Sequence, residues 1–327
     1  RQMCIRDRRK TLAAALAAAT ALTLGACAGS GSGTGSGSGA GEAFTITGSS
    51  TVEPITRYML NRYNFDAELE AVGSTDGFDK FCAGDADIND ASVAIPGSES
   101  SVDYQAQCAE AGVDFFELPI GLDAITIVKH ADNDWATDLT VEQLHDIWSK
   151  ESTVTTWSDI DPSWPNEKIN LYGRPTGSGT LGVFEDMVLG NDTIRDDYQS
   201  SDDIQELSTW VSEDVNGLSF MGIGNYLATE GTVRNKIDNV LVDGIAPTAD
   251  EAKSGNYPLS RPLFIYVNAE SAKKDNVGEF VTTYLDNAEA VMPRVYFYQL
   301  PEEVYDATKQ RFADGTTGID EQWHALN

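Results

Sequence analysis

Phe44-Thr45-Ile46-Thr47-Gly48-Ser49-Ser50-Thr51-Val52-Glu53-Pro54 holds a complete structural unit in eleven residues. The first four read as a short strand, and Gly48-Ser49-Ser50-Thr51 turns the chain into a helix. Pro54 falls in the first helical turn, where its missing N–H costs nothing. Ile55, Tyr58, Met59 and Arg62 then follow at helical spacing. The same order recurs downstream. Leu69-Glu70-Ala71-Val72 is a strand, and Gly73-Ser74-Thr75-Asp76-Gly77 opens a helix through Phe78, Phe81 and Cys82. Ile169-Asn170-Leu171-Tyr172 leads through a loop at 173–179 into a helix closed at Gly190. Ala124 to Val128 and Leu263 to Val267 are continuous apolar strands, and Thr140-Val141-Glu142-Gln143 is a capping box. Strand–loop–helix units in series imply an α/β fold with a largely parallel sheet. Phe220 to Tyr226 reads as a turn-rich segment, and Trp148, Trp157, Trp164 and Trp210 as packing residues.

Three of the handovers from strand to helix share a chemistry: Gly48-Ser49-Ser50-Thr51, Gly73-Ser74-Thr75 and Gly177-Ser178-Gly179-Thr180. Glycine lets the backbone approach a ligand, hydroxyls donate hydrogen bonds, and a helix N-terminus offers unpaired N–H groups with a favourable dipole. One such loop is an ordinary cap. Three, at the strand ends where α/β folds bind ligands, describe an anion site made of neutral donors. Arg174, just before the third loop, adds a planar fork suited to a tetrahedral oxyanion. Enzyme patterns fit poorly. Thr176 stands where a G-x-S-x-G elbow needs its first glycine, and residues 173–180 lack the lysine of a nucleotide-binding loop.

The composition narrows the partners. Of 327 residues, 41% are apolar, enough for real cores, and the prior at this length is two domains. The net charge of −30 argues against nucleic acid and anionic membrane surfaces as partners. Three scattered histidines and four unclustered cysteines predict no metal site, and no cofactor is expected. Arg8-Arg9-Lys10 precede an Ala/Leu run over 11–24 that is too short to span a bilayer, which is the layout of a secretory signal. Leu24-Gly25-Ala26-Cys27 resembles a bacterial lipoprotein box, with Cys27 lipidated. The expected order is therefore a signal peptide over 1–27 and a flexible Gly/Ser tether over 28–43. Cys82 and Cys108 are then an even pair in an exported chain. A disulfide is expected, with two buried free thiols as the alternative.

GSSTVEP at 48–54, GSTDGF at 73–78, DADINDAS at 85–92 and GRPTGSGT at 173–180 occur in this order. Together they resemble the phosphate-binding lipoproteins of bacterial high-affinity phosphate ABC transporters, over residues 44–327. The resemblance implies a type II periplasmic-binding-protein fold, two α/β lobes joined by two crossing strands. By it, lobe one is 44–122 plus 264–327 and lobe two is 123–263, with crossings near Gly121–Ala124 and Ser260–Phe264. It implies a monomer that is not an enzyme and that delivers inorganic phosphate to the membrane permease of an ABC importer. It also implies phosphate ligands: Ser50, Thr51, Ser74 and Ser92 from one lobe, and Arg174, Ser178, Gly179 and Thr180 from the other.

The chain departs from part of that family at two positions. Some members carry an Asp at the position of Ser92, where it accepts the proton of monohydrogen phosphate, and another acid at the position of Thr176. Asp76 and Asp90 are candidates for the missing carboxylate. Oxyanion binding is accordingly the firmer expectation. The alternatives are another oxyanion (sulfate, arsenate or a small phosphorylated compound) or an exported phosphatase with Ser178 as nucleophile.

Overall fold

β1 (Phe44–Gly48) buries Phe44 and Ile46 on one face, and it is the hub of the first sheet. In the computed structural model, which describes residues 43–176 and 178–324, β1 pairs in parallel with β2 (Ala67–Ala71) and with β3 (Ile88–Ala91). The connections run through α1 (Glu53–Tyr63) and α2 (Ser74–Cys82). Parallel strands end on the same edge, so the loops after β1, β2 and β3 are brought together by topology alone. The signal segment, Cys27 and the tether lie outside the described residues, as does Gly177 of the third loop.

α3 (Tyr104–Ala111) leads into β4 (Phe115–His130), a sixteen-residue strand that serves two sheets. Its first part pairs antiparallel with β11 (Ser260–Asn268), and β11 pairs on its other side with β3. From Ile125 onward β4 pairs instead with β8 (Gly217–Gly222) and β9 (Ile237–Asn239). β6 (Asn170–Gly173) runs parallel to β8 and to β7 (Gln199–Ser200). β5 (Asp138–Leu139) and β10 (Leu241–Val242) form a separate two-stranded ribbon. The register between β4 and β11 shifts at Leu263/Phe264, opposite Pro119 and Gly121. Pro119 has no N–H for the ladder, and the Ile120 carbonyl is taken instead by the Tyr305 hydroxyl at 3.1 Å.

Two hydrophobic cores result. One gathers Ile46, Ile88, Leu118, Ile265 and Phe280. The other gathers Ile127, Leu144, Trp148, Trp157, Phe184 and Phe220. Phe184 stacks on Phe220 with ring centroids 4.1 Å apart, and Trp148 meets Phe220 edge-on. The Thr140 capping box forms at the start of α4 (Val141–Trp148). α5 (Trp157–Ile160) sets Trp157 against Trp164, while Trp210 lies on Tyr172.

Two local expectations are corrected. The Phe220–Tyr226 stretch is not turn-rich. Phe220 and Met221 belong to the buried strand β8, and Ile223–Ala228 is helical, because tertiary packing outweighs the glycines at 222 and 224. The single helix expected up to Gly190 is α6 (Gly179–Phe184) followed by a π turn over Glu185–Leu189.

Cys82 and Cys108 are disulfide-bonded, tying α2 to α3. Closing a loop of this length stabilises by about 3–4 kcal/mol in the chain-entropy model. Replacing both cysteines by serine is expected to lower the melting temperature by about 6–15 °C in a thermal scan. Asp90 on β3 is fully buried, and neither carboxyl oxygen has a hydrogen-bond partner among the described residues. Burial pushes its carboxyl up to about 8. The Thr56 hydroxyl, itself paired with Tyr284 at 3.2 Å, pulls weakly the other way, and Glu53 adds to the rise. The folded form thus holds a proton that the unfolded chain releases near pH 4, so Asp90 lowers stability progressively as pH climbs from 4 to 8. Asp90→Asn is expected to melt higher than the parent, by a margin that widens across that range in melts at stepped pH.

Candidate functional site

The three loops meet. Ser50 and Thr51 after β1, Ser74 after β2, Ser92 after β3, and Ser178 and Gly179 after β6 all line one cavity of about 360 Å³. Gly48 makes the first turn feasible. Its φ of 120° is in the glycine region, and a Cβ there would fall 2.0 Å from the Asp90 carbonyl oxygen. The turn is then fixed by Ser49, whose N–H donates to that carbonyl at 2.8 Å and whose Oγ accepts from Thr51 N–H at 3.2 Å. Gly179 measures how closely the walls approach. A Cβ on it would stand 3.4 Å from Thr51 Oγ1 and 3.5 Å from Ser50 Oγ.

The hydroxyls are not working as helix caps. α1, α2 and α6 begin at Val52, Gly73 and Ser178 with no side-chain cap bond, whereas α4 carries its full capping box. Ser74 Oγ accepts from Ser92 N–H at 3.1 Å and is hydrogen-bonded to Ser92 Oγ at 3.3 Å, where either hydroxyl can donate. The Ser50 and Thr51 hydroxyls donate to nothing among the described residues. Uncapped N-terminal amides and free hydroxyls facing one space form a set of neutral donors for an oxyanion.

Arg174 and Thr180 do not line the cavity. The Arg174 guanidinium donates from Nε to Ser178 Oγ at 3.2 Å and from Nη1 to the carbonyls of Ser201, at 3.1 Å, and Asp202. Its own carbonyl accepts from the Tyr198 hydroxyl at 2.7 Å. Arg174 thus braces the third loop from behind. Thr180 sits one residue into α6, after Gly179 at the cavity wall.

The cation at the wall is Arg261 on β11, which sequence reasoning missed. Its guanidinium stands 3.9 Å from Asp123, its cross-strand neighbour on β4, and 3.2 Å from Asp186 in the π turn. Burial pushes the guanidinium below its usual range while the two carboxylates pull it back. Burial likewise raises Asp123 against the pull of Arg261. The one available signal was its place between Ser260 and Phe264, one of the two expected crossings. Neither proposed carboxylate reaches the cavity. Asp90 is buried within β3 and Asp76 is exposed on α2, while the acids at the wall are Glu185 and Asp186.

The likenesses to known proteins agree with this geometry. A PBP superfamily domain matches residues 28–286. Protein SphX of Synechocystis sp. is 37% identical over 292 residues, covering 85% of this chain and 84% of that protein. The phosphate-binding protein PstS of Staphylococcus epidermidis is 31% identical over 267 residues, 79% of each chain. Among solved structures, a possible phosphate binding protein from Planctomyces limnophilus superposes with a TM-score of 0.77 at 29% identity, covering 84% of this chain and 99% of that one. With these relatives and two lobes joined by two crossing strands, the chain has the type II periplasmic-binding-protein fold and belongs to the family of phosphate-binding, substrate-binding proteins of ABC transporters.

Proposed function

We propose that this chain captures inorganic phosphate between its lobes and delivers it to the membrane permease of an ABC importer. The observation that carries the reading is the convergence of three uncapped strand-to-helix loops, from both lobes, on one cavity. In this reading Ser50, Thr51, Ser74 and Ser92 hold the anion from lobe one (44–122 plus 264–327). Ser178 and Gly179 hold it from lobe two (123–263), and Thr180, outside the cavity wall here, joins them as the lobes close. Arg174 turns its guanidinium toward the anion once phosphate competes with the carbonyls of Ser201 and Asp202. The hinge is the β4–β11 pair, since those two strands carry the chain between the cores.

Capture and release, without turnover, is the chemistry that the residues favour. Ser178 Oγ accepts from Arg174, and among the described residues no histidine lines the cavity to activate it as a nucleophile. The protein acts outside the cytoplasmic membrane as a monomer, held to the membrane through lipidated Cys27 by the tether over 28–43. Mass spectrometry of the protein from a membrane fraction would show a diacyl-modified Cys27 at the new N-terminus. An unmodified cysteine would remove the anchor from this account.

Calorimetry on the purified full chain, freed of bound anion by partial unfolding, tests the ligand. Phosphate is expected to bind 1:1 at micromolar affinity or tighter, about −8 kcal/mol or better, with no heat from sulfate. Equal heats from both anions would withdraw phosphate as the specific ligand, and no heat from either would remove the site. Gly179→Ala places a methyl in the gap between the loops, in ordinary contact with Thr51 and Ser50. The variant is expected to keep the parental melting temperature within a few degrees and to bind phosphate at least about tenfold more weakly.

A further inference from the structure

Arg261 is a buried cation with most of its hydrogen-bonding capacity unused. Its side chain is 11% exposed. A guanidinium carries five N–H donors in a fixed fork. Nη1 donates to Asp186 Oδ2 at 3.2 Å. Nε is buried without a partner, its nearest carboxylate oxygen, Asp123 Oδ2, being 3.9 Å away. Nη2 donates to nothing among the described residues. Arg174 is the opposite case, with Nε and Nη1 both engaged inside its own lobe.

Position adds a second, independent argument. Arg261 and Asp186 border the 360 Å³ cavity and also a neighbouring one of about 580 Å³, so the pair forms part of the partition between them. The two acids that hold the guanidinium differ. Asp123 is 12% exposed and sits opposite Arg261 on the adjoining strand, whereas Asp186 is 65% exposed and its pairing is weakened by solvent. A carboxylate held loosely by water-facing charge can be replaced by a better-placed anion. One held from within the sheet cannot.

We infer that Arg261 is a second cationic residue of the oxyanion site and exchanges its Asp186 partner for the bound anion. The inference rests on the phosphate reading above. A tetrahedral oxyanion presents two oxygens to the Nη1–Nη2 edge of the fork, which a single displaced carboxylate oxygen does not. Asp123 stays behind and balances part of the charge, so the bare guanidinium is never left alone in the strand pair. Asp186 becomes a competitor that the ligand must displace, and it releases the π turn of lobe two from β11 when the anion arrives.

The test is phosphate calorimetry on the full chain carrying Arg261→Gln, Arg261→Lys or Asp186→Asn, each checked by a thermal melt. Arg261→Gln is expected to raise the dissociation constant roughly ten- to hundredfold, with Arg261→Lys in between. Asp186→Asn removes the competitor and is expected to tighten phosphate about threefold or more. A purely structural Arg261 gives a folded Arg261→Gln with parental affinity, which overturns the inference. Should Arg261→Gln not fold, Asp186→Asn and Arg261→Lys decide, and parental affinity in both also overturns it. If the parent binds phosphate while the variants match it, only the role of Arg261 falls. A parent that binds no phosphate removes the site's reading and this inference together.

Discussion

The pairing of β4 with β11 holds the two halves of the molecule in one piece. These strands run antiparallel through the region where the cores separate, and every element of the second core is inserted between them in sequence. A two-stranded ribbon bends more readily than a sheet backed on both faces, and the shifted register at Leu263/Phe264 further loosens the ladder beside the cavity. The same ribbon carries Asp123 and Arg261 as directly opposed residues. The opposed charges and the irregular part of the ladder therefore lie in the same few residues, beside the cavity wall.

An acidic protein that takes an anion faces repulsion from its own surface. The resolution is one of range. Carboxylates spread over the surface act through water, and salt screens them beyond about 8–10 Å. The uncapped ends of α1, α2 and α6 act at contact distance on whatever occupies the cavity. Neutral donors also have an advantage over lysines here. They add hydrogen bonds to an oxyanion without adding further charge beside Arg261, whose own charge is already offset by Asp123 and Asp186.

Much of this was legible in the sequence, for definable reasons. Strand–glycine–hydroxyl–helix units are local signals and gave Ser50, Thr51, Ser74, Ser178 and Gly179, parallel pairing brings the loops after β1, β2 and β3 to one edge, and Ser92 followed from the family resemblance alone; all six line one cavity. The Thr140 box and the buried Trp148 and Trp157 were equally local. What escaped was non-local. Arg261 matters through Asp123 across the ribbon and Asp186 from the other lobe, and no spacing along the chain encodes that meeting. The π turn at Glu185–Leu189 differs from an α-turn by one residue, which five positions cannot reveal. β8 was obscured because its glycines look like punctuation until a sheet encloses them.

The position of β11 within the first sheet has a consequence for how the chain matures. It lies between β3 and β4, and the strands it joins on that side of the sheet, β2, β1 and β3 with the first part of β4, all precede residue 125. That sheet therefore stays split, with an open edge on β3, until residue 268 has emerged, whereas the second core is contiguous from Ala124 to Leu259 and can condense first. The half that appears earliest is completed last. Such an order delays the slow, long-range strand insertion until nearly the whole length is available, and leaves the unpaired β3 edge as the surface most in need of shielding while it waits.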